Sequence, residues 1–143
     1  MSKSLNLMDP EVAYHRVDDT GVLGIIDTVK SGIKFSSFSS FATHSPFSLN
    51  DWAGFLQISE RTMHRYFQQK KTFDPSSSEK IMELALLFNF GEKVFGSREN
   101  FYVWLQTEIP SLGNIQPKGL LDTHFGINLL KDELTRIQYG VFA

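Results

Sequence analysis

Residues 48–71 read SLNDWAGFLQISERTMHRYFQQKK, and the order of caps and apolar side chains within them decides how the rest of the chain is read. Ser48 is a good N-cap, and Asp51 stands at the third helical position, where a carboxylate favours the exposed amides. Phe47 and Trp52 occupy the two hydrophobic-staple positions, so a helix starts at Leu49. It is short, because Ser59 brings a second start signal a few residues later. Leu49, Trp52, Ala53 and Leu56 form the inward face of the first helix, with Ala53 small where two helices cross closely. Ile58 falls in the turn, and Met63 with Tyr66 or Phe67 pins the second helix from behind. This is the layout of a helix-turn-helix. One residue departs from the usual pattern: Gln57 stands where such turns commonly carry glycine. Either it adopts a left-handed backbone at some cost, or the turn is built differently.

Around the start of the second helix the outward side chains are Ser59, which also caps it, Glu60, Arg61, Thr62, His64 and Arg65. They suit the edges of base pairs: arginine binds guanine bidentately and threonine touches a thymine methyl, while Lys70 and Lys71 can anchor to phosphate. These eight residues are the candidate DNA contacts. The whole chain carries a formal charge of −2, yet residues 50–71 set Arg61, Arg65, Lys70 and Lys71 against only Asp51 and Glu60. A polyanion contact belongs there. The plainer alternative is a pair of bundle helices with a solvated charged face, since such scaffolds also serve as dimerisation units.

Working outward, 143 residues with 41% hydrophobic content are the size of one ordinary domain or two small ones. Nothing approaches the apolar run of a membrane span or the pattern of a secretory signal, which points to a cytoplasmic protein with no membrane partner. The lack of cysteine excludes disulfides and thiolate sites. Residues 1–20 are polar, without sustained periodicity, and read as a flexible arm. Val22, Ile25, Ile26 and Val29 recur at helical spacing, with Gly32 as a stop. Phe35, Phe38 and Phe41 fit either a short helix or an irregular apolar loop. After the cap cluster DPSSSE (74–79), Ile81, Leu84, Ala85 and Phe88 form an apolar stripe; Ser97 caps a further helix carrying Phe101, Trp104 and Leu105. Pro117 suits the first turn of another short helix, and Ile127, Leu130, Leu134 and Ile137 line a last one that Gly140 can stop. No stretch alternates with period two. The expectation is an all-α chain of six to eight short helices, with an arm (1–20), a helix-turn-helix domain (21–95) and a small helical domain (96–143).

The last of these carries a resemblance. Val94, Phe95, Gly96, Trp104, Leu105, Leu112, Gly113, Pro117, Leu120, Leu121, Gly126, Leu134, Arg136, Ile137, Gly140 and Val141 follow one another as in the toxin-binding domain of the Xre/MbcA/ParS family of bacterial antitoxins. That family carries a helix-turn-helix upstream as well. Asn114 departs, where a second glycine is common, as does Gly119, where a larger residue usually follows the proline. The resemblance implies an antitoxin that dimerises through its N-terminal domain and represses its own operon by binding operator DNA. It also implies that the C-terminal domain neutralises a cognate RES-domain toxin, which depletes NAD, by covering the entrance to the toxin's active site. Candidate toxin contacts are Trp104, Arg136, Tyr139 and the apolar Val141, Phe142 and Ala143, which can enter a cleft or fold back onto Trp104.

An enzyme is not expected. His15, His44, His64 and His124 are scattered, with no pair at metal-ligand spacing, and there is no phosphate-binding glycine loop or nucleophile elbow. No cofactor or metal follows from the sequence. Two other functions remain open: a stand-alone helix-turn-helix regulator with a C-terminal dimerisation or sensing domain, and an assembly protein that uses the helix-turn-helix only to oligomerise.

Overall fold

The computed structural model describes residues 5–14 and 19–140. Among them are seven α-helices and no β-strand: α1 (Asp19–Ser31), α2 (Phe35–Thr43), α3 (Leu49–Leu56), α4 (Glu60–Gln69), α5 (Pro75–Phe95), α6 (Arg98–Leu105) and α7 (His124–Gln138). Two single 3-10 turns, Pro110–Leu112 and Pro117–Leu120, lie between α6 and α7. The fold is all-α. Its contacts divide into two compact units, Met1–Leu86 and Leu87–Ala143, with α5 running through the division.

The first unit is built on aromatic rings. Phe35, Phe38 and Phe41 lie on a helix, and its turns bring all three inside. Trp52 is wholly buried, with Phe38, Phe41 and Phe55 edge-on at centroid distances of 5.5, 5.4 and 5.2 Å. Each such pair adds about 0.5–1.5 kcal/mol beyond the area it buries. The indole N–H donates to Ser45 Oγ at 3.1 Å, so the ring is satisfied as well as enclosed. Phe73 stacks on Phe35 and meets Tyr66 at 5.0 Å. A buried hydroxyl joins this layer to α5: Ser78 Oγ accepts from the Ile33 amide at 2.8 Å and donates to the Phe73 carbonyl at 3.2 Å.

Within the stretch expected to be a flexible arm, residues 5–14 form turns that bury Leu7 and Ala13, while residues 1–4 and 15–18 lie outside the described residues. In α1, Ile25 and Val29 are half-buried, while Val22 and Ile26 are 36% and 40% exposed, with Leu23 beside them at 62%.

The second unit packs the end of α5, α6 and α7 around Leu87, Phe88, Phe101, Leu105, Leu121, Ile127, Leu130 and Leu134. Ser97 and Thr123 cap α6 and α7 through the amides of Asn100 and Gly126. α7 lies against the turn Pro117–Leu120 so closely that a Cβ on Gly126 would sit 2.0 Å from the Leu120 carbonyl oxygen. Only glycine fits there.

Candidate functional site

α3 ends in a Schellman turn, with the Gln57 amide donating to Gly54 O at 3.1 Å and the Ile58 amide to Ala53 O at 3.0 Å. Gln57 takes the left-handed conformation, φ 57° and ψ 40°, at a strain of about 1–2 kcal/mol that glycine would avoid. Buried Lys80 sets its ammonium 3.4 Å from the Phe55 carbonyl, a cation at the negative end of α3. Ser48 and Asp51 form the full capping box of α3. On α4, Ser59 Oγ accepts from the Thr62 amide at 2.9 Å and donates to Thr62 Oγ1 at 2.8 Å. Met63 is the buried pin; Tyr66 takes the second inner place, whereas Phe67 stays 54% exposed with its ring edge-on to Phe35.

The outer face of α4 is polar. Glu60, Arg61, His64, Arg65, Lys70 and Lys71 are exposed, Ser59 too, and Thr62 is half-buried. Arg65 holds its guanidinium 5.9 Å from the Tyr66 ring centroid, and His64 Nε2 lies 3.2 Å from Asn50 Oδ1. Arg61, Arg65 and exposed Gln68 stand at i, i+4 and i+7 on one face. Gln68 was not among the sequence candidates. Helical spacing alone would have found it, and glutamine pairs with adenine as arginine does with guanine.

α7 has the opposite character. Ile127, Leu130 and Leu134 are buried, and so is Glu133. Away from them Phe125, Leu129, Asp132, Arg136 and Tyr139 follow at i, i+4, i+7, i+11 and i+14, all exposed, Phe125 at 90% and Tyr139 at 75%. Arg136 is held on this stripe. Its Nη2 and Nε donate to Glu133 Oε1 at 2.8 and 3.3 Å, while Ser111 donates to Glu133 Oε2 at 2.8 Å. Burial alone would raise the Glu133 carboxyl, but the hydrogen bonds from Arg136 and Ser111 and the Arg136 charge outweigh it and hold the group below its ordinary value.

The sequence candidates in this unit therefore separate. Arg136 and Tyr139 share the exposed stripe. Trp104 does not: it is 9% exposed, stacked on Phe101 and tilted against Phe95 at 5.6 Å, so it belongs to the core and offers a partner little surface. Val141, Phe142 and Ala143 lie outside the described residues. Phe125 and Leu129, which were not among the sequence candidates, share that stripe by the same helical spacing.

Two family models match the chain along this same division. The antitoxin Xre-like helix-turn-helix domain matches residues 24–85, and the antitoxin Xre/MbcA/ParS C-terminal toxin-binding domain matches residues 91–140. The chain belongs to the Xre family of antitoxins. A protein of Yersinia enterocolitica serotype O:8 / biotype 1B named Antitoxin Xre is 24% identical over 120 residues, which is 83% of this chain and 81% of that one. A protein of Sphingobium sp. (strain YBL2) named Prs ADP-ribosylating antitoxin is 24% identical over 143 residues, 94% of this chain and 90% of that one.

The structure accommodates both departures of this Xre antitoxin from the family pattern. Asn114 has φ 61°, directly after Gly113 at φ 80°, so the place where a second glycine is common is a left-handed one that asparagine also tolerates. At Gly119 a Cβ would meet nothing within 4 Å, so the backbone there does not require glycine for want of space. Among the described residues no helix is long and apolar enough to cross a membrane.

Proposed function

We propose that this Xre antitoxin neutralises a RES-domain toxin that depletes NAD, by covering the entrance to its active site with the C-terminal unit, and represses its own operon through α4. The observation that carries this is one chain with two exposed faces of opposite chemistry: a cationic one on a capped, rigidly seated α4, and an apolar one on α7 within the matched toxin-binding domain. The first suits phosphate and base edges, the second a protein surface. Arg136 and Tyr139 are toxin contacts in this reading, with Val141 and Phe142 beyond them. The chain acts as a homodimer joined by α1, whose Val22, Leu23 and Ile26 remain exposed in the single chain. A dimer also places two α4 helices on one operator, so that weak single contacts act together.

Co-expression tests the reading. The gene beside that of this antitoxin is expressed in a bacterial host, alone and with the antitoxin, while growth, cellular NAD and protein ADP-ribosylation are followed. Arrest with falling NAD, both restored by the antitoxin, is the expected result. The Sphingobium relative's name favours measuring ADP-ribosylation as well, since NAD is the ordinary donor in that reaction. A harmless neighbour, or a toxicity that the antitoxin leaves unrelieved, would return the C-terminal unit to a dimerisation or sensing role in a stand-alone regulator.

A further inference from the structure

From the outer stripe of α7, we infer that Phe125 and Leu129 are the apolar anchor by which this antitoxin seats on its toxin. This rests on the toxin-binding reading and identifies the surface that does it. An isolated exposed leucine is ordinary on a soluble protein. A phenylalanine 90% exposed, one turn from a leucine 44% exposed, is an apolar pair with nothing of the described chain over it. The two continue through Asp132 to Arg136 and Tyr139, so the stripe is about 21 Å long at 1.5 Å per residue. Aromatic and arginine side chains are enriched at interfaces relative to the rest of a protein surface.

The stripe is also prepared for contact. Glu133 and Ser111 fix the Arg136 side chain in advance, leaving Nη1 for a partner, and Gly126 clamps the first turn of α7 against Leu120 so that Phe125 projects from a rigid support. Fixing side chains before association lowers its entropic cost. The match to the toxin-binding domain runs over residues 91–140 and contains all of it. The partner chemistry is that of a helix laid in a groove: a toxin surface with an apolar pocket for Phe125 and Leu129, and a carboxylate or carbonyl near Arg136.

The test is binding of the full-length antitoxin, carrying Phe125→Ser, Leu129→Ser or both, to the purified product of the adjacent toxin gene, with the melting temperature of each variant measured alone. Phe125→Ser weakens binding at least about 30-fold, as loss of an aromatic anchor does, and leaves the melting temperature unchanged. If the unaltered antitoxin binds and Phe125→Ser binds equally well, the anchor is elsewhere and the inference falls while the antitoxin function stands. If Phe125→Ser lowers the melting temperature or splits a dimer, the antitoxin itself covers this face, and the inference is again overturned. Should the unaltered antitoxin not bind the toxin at all, the functional reading fails first.

Discussion

α4 and α7 are both short amphipathic helices started by a hydroxyl cap, and both hold their inner faces tightly, yet they spend their outer faces differently. α4 shows water Arg61, Arg65 and Gln68; α7 shows it Phe125, Leu129 and Tyr139. A hydrated cation is stable in water and attracts a polyanion from several ångströms away, with a reach that salt shortens. An apolar ring in water is unfavourable by about 25 cal/mol for each Å² left exposed, and it gains only on contact. The two faces therefore belong to different kinds of recognition, one steered and salt-sensitive, the other short-ranged and dependent on fit.

The inner faces differ as well, and this gives the largest expected effect. α3 and α4 pack together with the side chains of Ala53 and Met63 buried, whereas α7 meets its turn at a backbone carbonyl that cannot move aside. Gly126→Ala destabilises the C-terminal unit by about 3 kcal/mol or more. Thermal unfolding together with toxin binding reads this out: the variant loses toxin affinity at temperatures where operator binding persists. An unchanged melting curve would mean that the approach of α7 to Leu120 is not tight in solution.

Next in size comes the steered face. Arg61→Ala and Arg65→Ala each weaken operator binding by about 1–3 kcal/mol if they contact bases, and each flattens the dependence of affinity on salt if they contact phosphate. Neither alters the melting temperature, because both side chains are exposed. Fluorescence anisotropy on the DNA upstream of the toxin–antitoxin genes, at several salt concentrations, separates the two kinds of contact. An unaltered antitoxin with no affinity for that DNA would overturn the DNA-binding reading of α4.

Much of the scaffold was legible in the sequence because it rests on local signals. Ser48, Ser59 and Ser97 are caps whose partners lie three residues away, and the stripe Ile81, Leu84, Ala85 and Phe88 repeats with the period of the helix that buries it. Pro75 opens α5 before that stripe, with Asp74 Oδ1 accepting from the Ser77 amide at 2.8 Å, a start that the run of serines left loosely placed. What periodicity does not carry is which apolar side goes inside. Val22 and Ile26 have the same spacing as buried residues elsewhere and remain exposed, while Trp104, a large residue in the matched domain, reads equally well as an anchor or as core. Phe125 and Leu129 were overlooked for the complementary reason. α7 has two apolar stripes, and the richer one, Ile127, Leu130 and Leu134, concealed the second.

The smallest effect sharpens the comparison at its structural root. The turn before α4 is set by a single backbone conformation at Gln57, where a left-handed φ of 57° lets the Gln57 and Ile58 amides close the end of α3. Gln57 is exposed, so its side chain gains little from packing. Gln57→Gly removes the clash of Cβ with its own carbonyl while raising the entropy of the unfolded chain, and the two together leave a net gain of about 1 kcal/mol. The melting temperature rises and operator affinity stays as it was, since the same hydrogen bonds still aim α4. A gain in stability accompanied by a loss of affinity would show that Gln57 contacts DNA itself, and that recognition is served here at the expense of the unstrained turn that glycine would give.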